Sequence, residues 1–282
     1  MSDHRSGVVA LLGLPNAGKS TLLNRWVGER LAIVTRRPQT TRTRLLGILT
    51  RPGVQALLLD TPGLPDKVVD ALGEAMGRAV AETAAECDVA VLLVDGARGW
   101  QPAHDEILAL VGDKPCYRVA TQADRSRVDP DAGWDHVISA RTGQGCAELL
   151  DAVLEALPEG PLFFPEDEIT DRPLRFLAAE LIREAAFDCL GEELPYGVAL
   201  EIESFDESRA DLVRIRARLL VDRESHKAMV IGAGGRKIKQ IGTRARHRIE
   251  RLLDCRVHLE LWVKPEPGWA KKPRRLRALG YL

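Results

Sequence analysis

Short apolar runs alternate with amphipathic stretches through residues 8–157. Residues 8–13, 56–60, 89–96, 117–121 and 136–140 read as short buried strands, rich in valine and leucine. The Ala/Leu/Met spacing of residues 70–87 and the apolar positions of 104–111 and 147–157 predict helices, and another helix opens near Lys19. Strands that alternate with helices predict an α/β domain: a mostly parallel sheet with helices on both faces. Such sheets bind ligands at the carboxyl ends of their strands. The four prolines of residues 158–173 lack amide donors and fix φ, so this stretch reads as a connection between domains. Beyond it the pattern gives a helix over 174–190, then strands over 197–204 and 211–221. A short helix, a glycine turn, a helix over 236–253 and a strand over 256–263 follow. These compose a smaller α+β domain. The expected division is 1–160, a linker over 161–173, and 174–282.

Charge sharpens that division. The chain has 282 residues and a formal net charge of −1. Residues 223–277 nevertheless hold 16 Lys/Arg against 5 Asp/Glu, so a basic segment sits on an acidic body. That asymmetry points to a polyanionic partner at the second domain. No apolar run reaches the about 18–20 residues of a membrane span, and the first residues lack the apolar core of a signal peptide. The five cysteines are scattered and never form CxxC pairs, which predicts reduced thiols and a cytoplasmic setting.

The clearest chemistry lies in GLPNAGKS, residues 13–20, between an apolar strand and a helix. It matches G-x-x-x-x-G-K-[ST]. Gly13 and Gly18 permit a tight loop through Leu14, Pro15, Asn16 and Ala17 whose amides point at phosphate oxygens, and the helix N-terminus adds partial positive charge. Lys19 supplies a full charge at the β- and γ-phosphates, and the Ser20 hydroxyl, followed by Thr21, can ligate Mg²⁺. The pattern predicts binding of a nucleoside triphosphate with Mg²⁺. DTPG, residues 60–63, ends a strand; Asp60 can hold Mg²⁺ through water and the Gly63 amide can approach the γ-phosphate. Between them lies the polar, basic RRPQTTRTR, residues 36–44, whose threonine hydroxyl could complete the Mg²⁺ shell while the γ-phosphate is present.

TQAD, residues 121–124, ends the next-to-last strand of this domain, and Ser139 and Ala140 follow the last. Asp124 can accept from guanine N1–H and N2–H₂, a donor pair adenine lacks, and the Ser139–Ala140 backbone can donate to O6. In the second domain, VIGAGGRKIKQIG places Gly232, Ala233, Gly234 and Gly235 between two helices, with Arg236, Lys237 and Lys239 directly after and Ile231 directly before. A GxxG turn brings backbone close to nucleic-acid phosphates, and domains built this way clamp about four single-stranded nucleotides. Ile238 and Ile241 read as core. Trp262 and Trp269 carry rings able to stack on bases, although Trp262, in an alternating strand, reads first as core. His226, His247 and His258 lack ligand spacing and read as surface. Residues 271–277, KKPRRLR, are either a solvated tail or an added phosphate contact.

The ordered set GLPNAGKS, QTTR, DTPG, TQAD and SA resembles the translation-factor class of GTPases. ITDRPLRF, LPYGV, VIGAGGRKIKQIG and LELWVK extend the resemblance to the bacterial Era family, which joins such a domain to a type II KH domain. The resemblance implies GTP/GDP as ligands, slow GTP hydrolysis, Thr41 as the switch threonine on Mg²⁺, and Asn16 as a ligand for a catalytic K⁺. It further implies a monomer that binds small-subunit (16S) rRNA near its 3′ end during 30S assembly. Two alternatives stand beside this reading. One is a constitutive KH RNA-binding factor with a weakened nucleotide domain; the other is a regulatory GTPase peripheral to the membrane, its basic domain meeting anionic lipid. The sequence departs from the family's Asn-Lys-x-Asp guanine motif. Thr121 is expected to be too short to copy the asparagine's contacts with guanine N7 and the phosphate loop, and Gln122 lacks the lysine's charge. Guanine selectivity is then expected to survive through Asp124, with affinity lower by about 1–3 kcal/mol. Leu64, after DTPG, takes the place where Ras-like GTPases orient water with glutamine.

Overall fold

The computed structural model describes residues 4–35, 41–64, 70–125, 128, 133–190 and 197–281. It divides into two compact units, residues 1–69 with 73–171 and residues 70–72 with 172–282. QTTR and LPYGV fall partly outside the described residues.

The first unit is built on six strands: β1 (Arg5–Gly13), β2 (Leu45–Arg51), β3 (Val54–Asp60), β4 (Val89–Asp95), β5 (Cys116–Thr121) and β6 (His136–Val137). Their order in the sheet is β2-β3-β1-β4-β5-β6, with every pairing parallel except β2–β3. β1 is thus central, paired to β3 on one side and β4 on the other, so the loop leaving it opens where the strand order reverses. β4 is buried from Val89 to Val94, as a strand covered on both faces must be. Helices α1 (Lys19–Val27), α2 (Ala71–Glu86), α3 (Pro102–Val111) and α4 (Cys146–Glu155) cover it. Ala10, Leu12, Val80, Leu92 and Ile107 share one core cluster.

Two expectations change here. β2 was not anticipated. Its run is short, interrupted by Gly47, and becomes a strand through its antiparallel ladder with β3, from Leu45 opposite Asp60 to Arg51 opposite Val54. A Cβ at Gly47 would stand 2.9 Å from Val27 Cγ2, which explains the glycine under α1. The proline-rich stretch expected to link the domains is instead fastened to the first unit. Ser6 donates from N to Pro158 O and from Oγ to Pro161 O, and Ile48 N donates to Ile169 O. The fully buried Gln55 completes the attachment: its Oε1 accepts from Phe163 N and Phe164 N, and its Nε2 donates to Phe164 O. Prolines cannot donate, and side chains and neighbouring amides satisfy the backbone instead.

The second unit runs α5 (Leu174–Cys189), β7 (Val198–Arg209), β8 (Leu212–Val221), α6 (Glu224–Ile231), α7 (Arg236–Leu253), β9 (Arg256–Pro265) and α8 (Pro273–Ala278). Its sheet has the order β7-β8-β9, antiparallel then parallel. α5 and α7 cover one face through Ala178, Ile182, Ile215, Leu219, Ile241 and Ile249. Residues 271–277 prove to be neither a free tail nor wholly surface. Leu276 is fully buried, and Arg275 pairs with Glu201 and Glu266, which anchors α8. The tryptophan expectations are also corrected. Trp269 is a core residue, 1% exposed, donating Nε1–H to Gly197 O, while Trp262 is half-buried with the Arg216 guanidinium over its ring. His247 and His258 are exposed, but His226 is half-buried.

Candidate nucleotide site and nucleic-acid interface

The loop after β1 has the backbone its glycines require. Gly13 has φ 140° and Gly18 φ 96°, where L side chains are strained. A Cβ at Gly13 would lie 2.3 Å from Leu93 O, so this position also fixes the close approach of β4. Asn16 takes φ 65°, which asparagine tolerates better than most residues. Leu14 and Pro15 are half-buried, Ala17 is buried, and Thr21 is half-buried on α1. Lys19 is 5% exposed, and its Nζ donates to Gly13 O at 2.9 Å and Leu14 O at 3.0 Å. Burial lowers its pKa from 10.5 to about 8, a fall that nearby Asp60 opposes. The loop thus encloses a cation whose charge is poorly solvated until an anion arrives.

Beside Lys19, three oxygen donors from separate elements meet. Ser20 Oγ donates to Asp60 Oδ2 at 2.6 Å, lies 3.0 Å from Thr41 Oγ1, and Thr41 Oγ1 lies 3.5 Å from the same carboxylate oxygen. A cluster of two hydroxyls and a carboxylate is the donor chemistry a hard divalent cation takes, so these residues fit Mg²⁺. Gly63 lies against the loop; a Cβ there would be 2.6 Å from Pro15 Cα and N. The preceding Thr61 donates to Leu11 O at 2.8 Å, fixing the strand end. Leu64 is half-buried against the cluster formed by Ala10, Leu12 and Ile107.

Across the loop, Thr121 is buried and its Oγ1 lies 2.8 Å from Ala17 O and 3.1 Å from Val94 O. Gln122, at φ 60°, donates from Nε2 to Asn16 O at 3.1 Å. This corrects the expectation that threonine is too short to reach the phosphate loop. β5 ends close enough for a hydroxyl to span the gap, and the glutamine adds a second bridge. Asp124 accepts from Ser139 Oγ and from Arg141, and these bonds, Ser139's first, hold its carboxyl below the usual pKa. Ser139 is fully buried and Ala140 7% exposed. Two residues that sequence reasoning missed complete this corner. Arg25 of α1 donates Nε to Ala140 O at 2.5 Å and Nη2 to Arg141 O at 2.8 Å, tying the Ser139–Ala140 turn to the helix that begins at the phosphate loop. The second is Arg141. No motif flags either, because each acts through a contact more than fifteen residues away in sequence.

In the second unit, α6 closes at Gly232 with φ 71°, Gly234 and Gly235 take φ 60° and 75°, and α7 starts at Arg236. A Cβ at Gly232 would stand 2.7 Å from Lys237 Cβ, which makes this glycine a packing requirement. Ala233 and Gly234 are exposed, so the turn itself lies open to solvent, while Gly235 N–H donates back to Gly232 O and Arg236 N–H to Ala233 O. Ile231 is half-buried against the core. Many basic residues of this unit are neutralised internally: Arg216 by Glu260, Arg218 by Glu201 and Glu203, Arg246 by Glu250, and Arg248 by Glu184 and Asp188. Lys237 and the exposed Arg236 and Lys239 make no ion pair with the described residues. Three cations without a carboxylate partner among the described residues therefore stand directly after the glycine turn.

Residues 8–122 match the family model described as a 50S ribosome-binding GTPase, and residues 193–270 match that of the KH domain. GTPase Era of Haemophilus influenzae is 41% identical, over 98% of this chain and 96% of its own. GTPase Era of Xanthomonas axonopodis pv. citri is 43% identical, over 99% and 98%. Among solved structures, a point variant of Aquifex aeolicus Era bound to GDP·AlF4⁻ superposes with a TM-score of 0.93 at 36% identity, covering 98% of this chain and 99% of that one. Era in complex with MgGDPNP and nucleotides 1506–1542 of 16S ribosomal RNA gives a TM-score of 0.92 at 36% identity, covering 99% of each. A phosphate loop and a KH domain joined in this order, alike over almost the whole length, place the chain in the Era family of GTPases.

Proposed function

We propose that this GTPase is a switch that binds the 3′ region of small-subunit ribosomal RNA and acts in assembly of the 30S subunit. The observation that carries the RNA half is the outward glycine turn with Arg236, Lys237 and Lys239 uncompensated beside it. A solved relative that holds nucleotides 1506–1542 of 16S ribosomal RNA supports the choice of RNA. The described residues include no helix long and apolar enough to cross a membrane.

The nucleotide half follows from the first unit. Loop amides and Lys19 receive the β- and γ-phosphates; Asp124 reads the guanine edge, and Ser139 and Ala140 close the base site. Ser20 and Thr41, with Asp60 through water, would hold Mg²⁺, which would supply charge neutralisation for the phosphates. Thr41, beside Ser20 and Asp60, would tie the segment before β2 to that ion while the γ-phosphate is present. Leu64 has no group to orient water, and hydrolysis by the isolated protein is slow. Asn16, exposed at the loop's apex, would be the ligand of a K⁺ ion supplying the positive charge that other GTPases take from an arginine. Replacing K⁺ by Na⁺ at constant ionic strength is expected to slow steady-state GTP turnover; equal rates would remove Asn16 from that role. The bridges from Thr121 and Gln122 to the phosphate loop favour this working switch over a decayed nucleotide domain.

The decisive experiment measures binding of a 3′-terminal small-subunit rRNA fragment with GTP, GDP and no nucleotide. Affinity that depends on the nucleotide is expected, and identical affinity in all three states would favour the constitutive binder. Lys237→Glu is expected to weaken binding at all sequences and to reduce the magnitude of the salt slope by about one. Vesicles of anionic lipid that compete equally with the RNA would instead support the membrane reading.

A further inference from the structure

The turn after β6 uses most of its amides internally. Ser139 N donates to Gln144 O at 2.9 Å, Thr142 N to Ser139 Oγ at 3.2 Å and Gly143 N to Ser139 O at 2.8 Å. The amides between them, of Ala140 and Arg141, make no hydrogen bond among the described residues, although Ala140 is only 7% exposed. An unpaired N–H in so covered a residue is costly, and its place in the turn that contacts Asp124 suits an acceptor brought by a ligand. The carbonyls of the same stretch are all held. Ser139 O accepts from Gly143 N, and Arg25 of α1 donates Nε to Ala140 O and Nη2 to Arg141 O. The peptides here are trans, so each points its C=O and N–H in opposite directions. Holding Ala140 O toward Arg25 therefore turns the Arg141 amide away from α1, and the bond to Ser139 O fixes the Ala140 amide in the same way. Gly143 makes room for the guanidinium, since a Cβ there would stand 2.8 Å from Arg25 Nη1.

We infer that Arg25 is a positioning residue of the base site: by holding two consecutive carbonyls of this turn, it aims the open amides of Ala140 and Arg141 at guanine O6. The inference rests on the reading of the turn as the part of the base site that meets O6, an acceptor that adenine lacks. Arg25 itself touches no ligand and acts only through the turn. α1 carries Lys19 in its first turn and Arg25 in its second, so one helix sets both the phosphate end and the base end of the site. The guanidinium is not needed to dock that helix. Arg25 is exposed, whereas the neighbouring Trp26 is buried and donates Nε1–H to Cys146 O at 3.0 Å, at the start of α4. Loss of Arg25 therefore frees the turn while α1 stays in place.

The test uses the full chain with Mg²⁺ and a set of diphosphates that differ in the base. GDP is compared with inosine diphosphate, which lacks the 2-amino group, and with 2-aminopurine riboside diphosphate, which lacks O6 and with it the N1 proton. Arg25→Ala is expected to raise Kd for GDP and inosine diphosphate alike, by about two- to tenfold, the worth of one hydrogen bond. Binding of the 2-aminopurine nucleotide should not change, because it has no O6 to lose. Arg25→Lys, which keeps one charged donor, should recover part of the loss. An equal loss for every nucleotide, or no loss for any, would overturn the proposal. So would a larger loss for GDP than for inosine diphosphate, since that places the effect on Asp124 and the 2-amino group. The wild-type chain tests the underlying reading separately: equal affinity for GDP and the 2-aminopurine nucleotide would refute recognition of O6 by the turn.

Discussion

Lys19→Ala is expected to lower the rate of GTP hydrolysis by at least about two to three orders of magnitude, the effect of removing one preorganised charge from a developing anion. Single-turnover hydrolysis at saturating GTP measures it, and a rate within a few-fold of wild type would deny Lys19 its role. The structure adds a pH signature. In the nucleotide-free chain the Lys19 pKa is lowered to about 8, whereas an unfolded lysine titrates near 10.5. Between those values the unfolded chain binds more protons, so the stability of the nucleotide-free domain rises with pH across that window. Below about pH 8 both forms are charged, and the burial penalty is fully present. A bound triphosphate reverses the sign, because it favours the ammonium. Binding then takes up a proton above pH 8, and nucleotide affinity is expected to fall as pH rises from there. Lys19→Arg, charged throughout, should show a flatter profile.

Arg248→Ala should unfold the second unit more readily than any surface change. Glu184 is 0% exposed on α5, and Arg248 of α7 stands 3.1 Å from it and 2.7 Å from Asp188. Removing the guanidinium leaves a buried carboxylate without that cation, at a cost of about 3–5 kcal/mol. For a unit of this size the thermal midpoint should drop by more than about 10 °C, followed as RNA-binding activity and far-UV circular dichroism. The double variant Arg248→Met/Glu184→Leu should recover much of the loss, because an apolar pair needs no compensation. If the single variant melts with wild type, the pair is not structural.

These two residues differ in how far the sequence discloses them. Lys19 stands inside an eight-residue motif between a strand and a helix, and all its partners but Asp60 lie within six positions. Arg248 is one of sixteen basic residues between 223 and 277, and nothing local separates it from Lys237 or Lys239. The sequence shows an excess of charge; the fold shows which charges are spent on neighbouring helices and strands, and which face outward at the glycine turn. Trp262 and Trp269 carry the same lesson. Alternation in β9 identifies two faces but not which is covered. The covered position went to Trp269, after the strand, because residues 266–281 fold back and bury Leu276 and Trp269 together. β2 was hidden for a similar reason, since its ladder partner β3 supplies the hydrogen bonds that define it.

The sequence by itself determined the two-part architecture, the triphosphate loop and the GxxG turn, because periodicity and glycine-dependent backbone are properties of neighbouring residues. The tertiary structure alone decided how the base site is assembled. Thr121 meets Ala17 across 104 positions, Arg25 meets Ala140 across 115, and Arg141 covers Asp124. Those contacts depend on where β5 and α1 end in space, a result of sheet order and helix packing that no local spacing records. The departure TQAD looked like damage when read against a motif. In the folded chain its threonine and glutamine still reach the phosphate loop, since distance rather than residue identity sets what can bridge it.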